Sequence, residues 1–342
     1  MLAPRDGIAA ARLRAPGGRE THAASGDEVP GSVGRWLADV VIPTTMGREQ
    51  ATRQRPLTPE FFVTDGELTS AAGERAALDD AVVPGGFYFF HKPHPEEPVV
   101  PFGIRIVHED ADLLVVDKPH FLASTPNGRF VRESVVTRLR AERGEDDLVA
   151  IHRLDRVTAG LLVLSRRTAT RGLYQVLFQQ RLIRKQYRAL AALPEGWRPG
   201  DELPLGLEEG GAARDVRSRL RKLDGVRAVQ EVDGEPNAHT SVRLARVRRR
   251  GSRSVGEFDL TPHTGKTHQL RVHMNALGMP LVGDPVYPVD LNPDPYDFST
   301  PLQLLAHSLE FADPITGERR AFRSGLTLGG TDEGGGVQAP NA

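Results

Sequence analysis

No apolar run in this chain approaches the ~18 residues that a bilayer-spanning helix needs. Its most apolar stretches, such as Leu113–Val116 and Leu161–Leu164, have the length of buried strands. Strands are expected over 112–117, 161–165, 186–192, 241–247, 255–260 and 303–311. Helical spacing marks 134–143 (Val135, Val136, Leu139), 170–180 (Leu173, Val176, Leu177 inward) and 267–277 (Leu270, Met274, Leu277). Many strands and few helices, without strict alternation, predict an α+β fold. Its sheet should be mixed but largely antiparallel, flanked by helices and loops.

The order signals begin unevenly. Residues 1–32 are rich in Ala, Gly, Arg and Pro without periodicity and are expected to be disordered or loosely ordered. Residues 33–98 read as a small N-terminal region. Val33, Trp36, Leu37, Val40 and Val41 recur at helical spacing there, and Phe87–Phe90 looks like a strand. The region ends in a linker-like stretch containing Pro93, Pro95, Pro98 and Pro101. The main domain should span 99–325, followed by a Gly-rich, disordered tail over 326–342. The net charge of −1 hides an asymmetry: −4 over residues 1–98, +5 over 99–325 and −2 in the tail. A mildly basic body is compatible with a polyanionic partner.

The chain has no cysteine, which excludes disulfides, Cys-ligated zinc and thiol catalysis. That composition suits a cytoplasmic protein. Residues 1–20 lack the apolar core of a signal peptide. His263 and His268 lie five apart, as do His268 and His273, so neither pair shares a helical face as a zinc motif requires, and no metal is expected.

The most informative segment is His152-Arg153-Leu154-Asp155-Arg156-Val157-Thr158-Ala159-Gly160, which leads into Leu161–Leu164. Two arginines and a histidine flank a single carboxylate, and nearby cations favour its ionised form. Such an Asp could be a nucleophile or general base. It could also be a salt-bridged anchor for the turn. The residues of the segment alone leave both readings open.

His152–Leu164 resembles the H-R-L-D-x-x-T-[SA]-G-L-L signature of RluA-type RNA pseudouridine synthases. Four further segments match that family in order: Asp112–Pro119, Lys185–Ala189 (K-x-Y-x-A), Gly265–His273 (G-R-T-H-Q-[IL]-R-V-H) and Gly283–Tyr287 (G-D-x-x-Y). The resemblance implies the pseudouridine synthase fold and isomerisation of specific uridines in structured RNA, ribosomal or transfer RNA, after base flipping. Extruding a stacked base costs a few kcal/mol. It assigns Asp155 as nucleophile, Arg271 as its partner, and Tyr187 as the aromatic against the base, where stacking contributes ~1–3 kcal/mol. Arg153, Lys118, Lys185, Lys266, His268 and Gln269 become candidate substrate contacts. Ala159 stands where serine is commoner, and Lys266 where arginine is, losing a bidentate fork there.

The reaction needs no cofactor, so none is expected, nor a nucleotide or a membrane; the protein is expected to be a monomer. Phosphate contacts should come from Arg166, Arg167, Arg171, Arg181, Arg184 and Arg188, and from the Arg246–Arg253 hairpin. Residues 33–98 could be a degenerate RNA-binding module. Two rival readings remain. One is an RNA-binding protein without turnover on the same scaffold. The other is an Asp-dependent nucleosidase, which would need a second acid near Asp155.

Overall fold

A computed structural model describes residues 2–17, 30–45, 57–94, 96–250 and 253–329. The chain divides into two compact units, one of residues 1–97 with 139–146 and one of residues 98–138 with 147–342. Among the described residues, no helix is long and apolar enough to cross a membrane.

The first unit contains β1 (Ala11–Arg14), α1 (Val33–Trp36), a π-helical stretch (Leu37–Thr45), α2 (Pro59–Val63), β2 (Thr69–Ser70) and β3 (Phe87–Phe90). The three strands form an antiparallel sheet with β3 in the middle. Along β3 the alternation sends Tyr88 and Phe90 inward, against Trp36 and Phe62 at ring separations of 5.1 and 4.7 Å. Val40 is exposed although its spacing from Trp36 is helical. The wider π winding after Trp36 turns Val41 and Ile42 inward instead. Residues 1–32 are not uniformly without order. Ala11–Arg14 pairs with Phe87–Phe90, because Leu13 and Ala15 supply one short apolar alternation that fits this core. Residues 18–29 and 330–342 lie outside the described residues.

The second unit is built on an 11-stranded sheet. Its strands are β4 (Arg105–Glu109), β5 (Leu113–Lys118), β6 (Val149–Ala150), β7 (Ala159–Ser165), β8 (Arg184–Ala192), β9 (Arg214–Lys222), β10 (Val229–Val232), β11 (Ala238–Arg250), β12 (Arg253–Pro262), β13 (Leu304–Ala312) and β14 (Arg319–Arg323). Its helices are α3 (Val135–Arg143, whose second half counts with the first unit), α4 (Thr168–Gln179) and α5 (Gln269–Ala276). The order is β10-β9-β11-β12-β8-β13-β7-β5-β4, with β14 on β13 and β6 on β7. Every pairing is antiparallel except β13 with β7. The fold is therefore α+β with a mixed, mostly antiparallel sheet.

Every residue of β5 and β7 is buried, so their apolar stretches Leu113–Val116 and Leu161–Leu164 are continuous rather than alternating. Leu113, Val115, Leu161 and Val163 pack with Tyr174, Leu177 and Phe311. On α4 the inward residues are Tyr174 and Leu177; Leu173 and Val176 are 49% and 40% exposed, contrary to the sequence expectation. The phase is set by Tyr174, whose ring enters the core while its hydroxyl reaches Asp313 Oδ2 at 3.2 Å. The strands β4, β9, β10 and β14 lack an apolar signature. β9, for example, buries only Ser218 and Leu220 among alternating arginines.

The parallel contact between β7 and β13 fixes one glycine. Gly160 has φ of 111°, and a Cβ there would lie 2.4 Å from the Ala306 carbonyl oxygen. Gly160→Ala should destabilise the protein by at least about 2 kcal/mol, combining backbone strain with a rigid clash. Chemical denaturation measures this, and an unchanged midpoint would refute the close approach.

Candidate active site

The turn before β7 is held from below by the segment after β5. Ser124 Oγ donates to the Leu154 carbonyl and accepts from the Leu154 N–H, at 2.9 and 3.0 Å. His120 Nδ1–H donates to the Val157 carbonyl at 2.8 Å. Lys118 Nζ donates to the carbonyls of Pro119, Leu122 and Arg156 at 2.9, 2.8 and 3.1 Å. These bonds fix the backbone on both sides of Asp155.

Asp155 is partly open to solvent. Its side chain is 30% exposed, and Oδ2 lies 3.3 Å from Arg271 Nη1. Arg271 is 2% exposed and comes from α5, which is buried over Gln269–Met274. Its other edge forms a two-pronged pair with Asp284, Nε to Oδ2 at 2.8 Å and Nη2 to Oδ1 at 2.7 Å. Burial opposes the charge on Arg271, but the Asp284 bonds and the charges of Asp284 and Asp155 outweigh it and hold the guanidinium protonated. Asp284 Oδ1 also accepts the N–H groups of Val286 and Tyr287. Asp284 is thus an orienter of the arginine, with both oxygens engaged.

Tyr287 completes this support. Its ring lies 5.3 Å from the Arg271 guanidinium carbon. Its hydroxyl donates to the Val229 carbonyl (3.0 Å) and accepts from the Val229 N–H (2.7 Å). The remaining contact, 3.1 Å to His268 Nδ1, then requires the proton on that nitrogen. The lone pair of His268 Nε2 is left 3.8 Å from Asp155 Oδ2. Burial, helped by the Arg271 charge, pushes His268 down to about 4, so it is a neutral neighbour.

A cavity of about 380 Å³ opens over Asp155. It brings together Arg153, Asp155, Lys185, Tyr187, Lys266, His268, Gln269 and Arg271 from three separate segments. Tyr187 comes from β8, where it pairs with Leu260 of β12 and Ala306 of β13. Burial and the charge of Asp155 raise its phenol well above the usual range, keeping it protonated. Lys185 is lowered by burial and by Arg181. Arg153 is exposed and lines the cavity.

Several sequence expectations are corrected here. Lys118 does not line the cavity: it is fully buried, and all three ammonium hydrogens serve backbone carbonyls. Burial pushes it down to about 7, with the charge of Asp155 pulling the other way. Gln269 lines the cavity, yet its amide is fully occupied. It donates to His239 O and Thr240 Oγ1 and accepts from Thr264 Oγ1 and the Lys266 N–H. Gln269 therefore shapes the 264–268 loop rather than offering a polar contact.

His152 is not a cation beside Asp155. Its Nε2 accepts from the Val163 N–H at 3.0 Å, its ring stacks on Phe178 at 4.4 Å, and burial pushes it down to about 3. Arg156 is directed to the Phe121 carbonyl and the Phe130 ring. The cation facing Asp155 comes instead from Arg271, 116 residues along the chain. Much of the expected phosphate-binding set is engaged locally. Arg246 and Arg248 pair with Glu257, Arg166 with Glu109, and Arg167 with Asp112.

The buried histidines give a pH prediction. Burial lowers His120 and His273 to about 4, beside His268 at about 4 and His152 at about 3. Each is neutral when folded but takes a proton near 6.5 when unfolded. The stability this gives is complete above about 6.5 and is lost as pH falls from there toward 4, or toward 3 for His152. Each group contributes a slope of about 1 kcal/mol per pH unit in that window. Urea midpoints should therefore fall clearly between pH 7 and pH 5; equal midpoints would contradict the buried neutral state.

Comparison with known proteins fits this arrangement. A family model described as RNA pseudouridylate synthase matches residues 112–276, which include Asp155, Tyr187 and Arg271. The dual-specificity RNA pseudouridine synthase RluA of Vibrio parahaemolyticus is 35% identical over 218 residues, covering 61% of this chain and 78% of that protein. RluA of Haemophilus influenzae is 32% identical over 232 residues, covering 66% of this chain and 94% of that protein. RNA pseudouridine synthase 7 of Arabidopsis thaliana is 28% identical over 222 residues, covering 62% of this chain. The chain spans about half the length of that plant relative, 54%. The sequence matches thus define an RNA pseudouridylate synthase-type domain. The chain belongs to the RluA-type family of RNA pseudouridine synthases.

Proposed function

We propose that this protein isomerises uridine to pseudouridine in structured RNA, ribosomal or transfer RNA, with Asp155 as the nucleophile. The observation that carries the reading is the setting of Asp155: an accessible carboxylate held at 3.3 Å by a buried arginine that a second carboxylate anchors. The target uridine is flipped into the cavity over Asp155, a few kcal/mol being repaid by contacts made there. Tyr187, protonated and rigid in its strand, packs against the uracil. Arg153 at the cavity wall holds the extruded nucleotide or fills its former place, and Lys185 and Lys266 meet its phosphates.

The chemistry balances without another reagent. The bond between the sugar's anomeric carbon and uracil N1 breaks, and the base turns within the cavity. Ring carbon 5 then bonds to the anomeric carbon, the proton on that ring carbon leaves, and N1 takes up a proton. Asp155 supplies the carboxylate that adds to the substrate and departs again. No cofactor is needed, and a monomer in the cytoplasm suffices. A nucleosidase would need a second available acid. Asp284 is the nearby carboxylate tied to the same arginine, and it is 1% exposed with its oxygens bonded. That favours rearrangement over hydrolysis.

The test uses ribosomal and transfer RNA carrying tritium on uracil carbon 5. Tritium release with the base retained on the RNA is the expected result. Free uracil would identify a hydrolase. Binding of both RNAs without release would identify a non-catalytic RNA-binding protein.

A further inference from the structure

The neighbouring strands β9 and β11 and the end of β12 bring Asp215, His239 and His263 together. Asp215 stands opposite Ser241 in the β9–β11 register, and the His263 N–H bonds to the His239 carbonyl. One ligand atom from each of the three residues lies within 4.8 Å of the others. The imidazoles lie nearly parallel with centroids 4.1 Å apart. Ser241 Oγ bridges Asp215 Oδ1 (2.7 Å) and His263 Nε2 (2.8 Å). None of these three residues lines the Asp155 cavity described above.

We infer that Asp215, His239 and His263 form a binding site for a divalent transition-metal ion of the Zn²⁺ or Co²⁺ type. Two imidazole nitrogens and one carboxylate oxygen are a donor set such ions favour, and it leaves a fourth position open. His239 Nε2 lies 3.2 Å from Asp215 Oδ2. Tetrahedral ligands at ordinary zinc distances are about 3.3 Å apart. His239 Nε2 is also buried and has no aligned hydrogen-bond partner despite that near oxygen. A cation between the two atoms would take both lone pairs, whereas an N–H on Nε2 would be out of line with the oxygen. Ser241 Oγ–H is donated to Asp215 Oδ1, so His263 Nε2 meets Ser241 with its N–H; it must shed that proton, and the stacked rings must tilt, before both nitrogens reach one ion. The opposing charge is Arg217, 3.8 Å from Asp215 Oδ2. That pair is exposed and weak, so a metal ion outcompetes it.

The site has a structural outlet. The His239 N–H donates to Thr264 Oγ1 at 2.9 Å, and the His239 carbonyl accepts from Gln269 Nε2 at 2.9 Å. Fixing His239 therefore fixes the loop that carries Lys266 and His268 into the cavity. Metal loading should slow hydrogen exchange of the 264–268 amides.

The test uses the full chain without a polyhistidine tag, stripped with chelator and titrated at neutral pH with ZnCl₂ calorimetrically and with CoCl₂ by visible absorption. One equivalent should bind, with the d–d bands of low-coordinate cobalt. Asp215→Asn and His263→Gln should each weaken affinity at least ~10-fold, since even the partners of metal ligands cost that much when removed. His91→Gln should leave it unchanged. Absence of heat and of visible bands with the wild type overturns the proposal. So does binding that survives in both variants, which places the ion elsewhere. Asp215 is exposed, so Asp215→Asn should melt with the metal-free wild type and be read without a folding defect.

Discussion

Asp155→Asn is expected to reduce pseudouridine formation on the order of 10⁴-fold or more, the scale of removing a nucleophile that acts in concert with its partners. The substitution keeps shape and hydrogen-bonding capacity but removes the charge and the nucleophilic oxygen. Arg271 remains anchored by Asp284, so the cavity should persist. The Asp155–Arg271 contact is 30% exposed on the aspartate side, so its loss should cost at most ~1 kcal/mol of stability. The expected signature is therefore a dead enzyme that melts like the wild type and still binds RNA. Tritium release above about one part in a hundred of wild type would remove Asp155 from the centre of the mechanism, because transition-state losses of that size belong to helpers rather than nucleophiles.

Asp284→Ala should have the largest effect on stability, about 3–5 kcal/mol, and should also abolish activity. Arg271 is 2% exposed and Asp284 1% exposed. Removing one partner leaves a buried guanidinium without its fork. The double substitution Arg271→Met with Asp284→Leu separates the two roles of the pair. Apolar replacements of similar volume often match a buried ion pair in stability. The double variant should thus recover most of the folding free energy and stay inactive. Denaturation and tritium release measured side by side distinguish this from a purely structural pair, which would regain activity along with stability.

The parts of this molecule legible in the sequence are those written in local patterns. Leu113–Val116 and Leu161–Leu164 are strands because nothing else buries such short apolar runs, and both elements form as expected. Tyr187 and Arg271 were legible only through the resemblance of their segments to the family's motifs, and the cavity gathers both residues with Asp155. What stayed hidden depends on partners distant in sequence. Asp284 sits in a recognisable turn motif, yet no local pattern joins its carboxylate to Arg271. His152 and Arg156 flank Asp155 in sequence, but the turn's geometry directs both away. Lys118 resembles a surface lysine before a proline, while three main-chain carbonyls draw it inside. The phase of α4 could not be read because Leu173 and Tyr174 compete for the same core, and Tyr174 wins by finding Asp313. His263 was spaced against its neighbours along the chain, whereas His239 and Asp215 reach it across strands.

The acid and its cation lie 116 residues apart, on β7's leading turn and on α5. Half a chain emerging from the ribosome already carries Asp155, amid a dense supply of ribosomal and transfer RNA. It then has neither the guanidinium nor the far wall of the cavity. On the proposed function, a nascent chain would gain activity only once its last third has docked, because Arg271 and Asp284 both lie there.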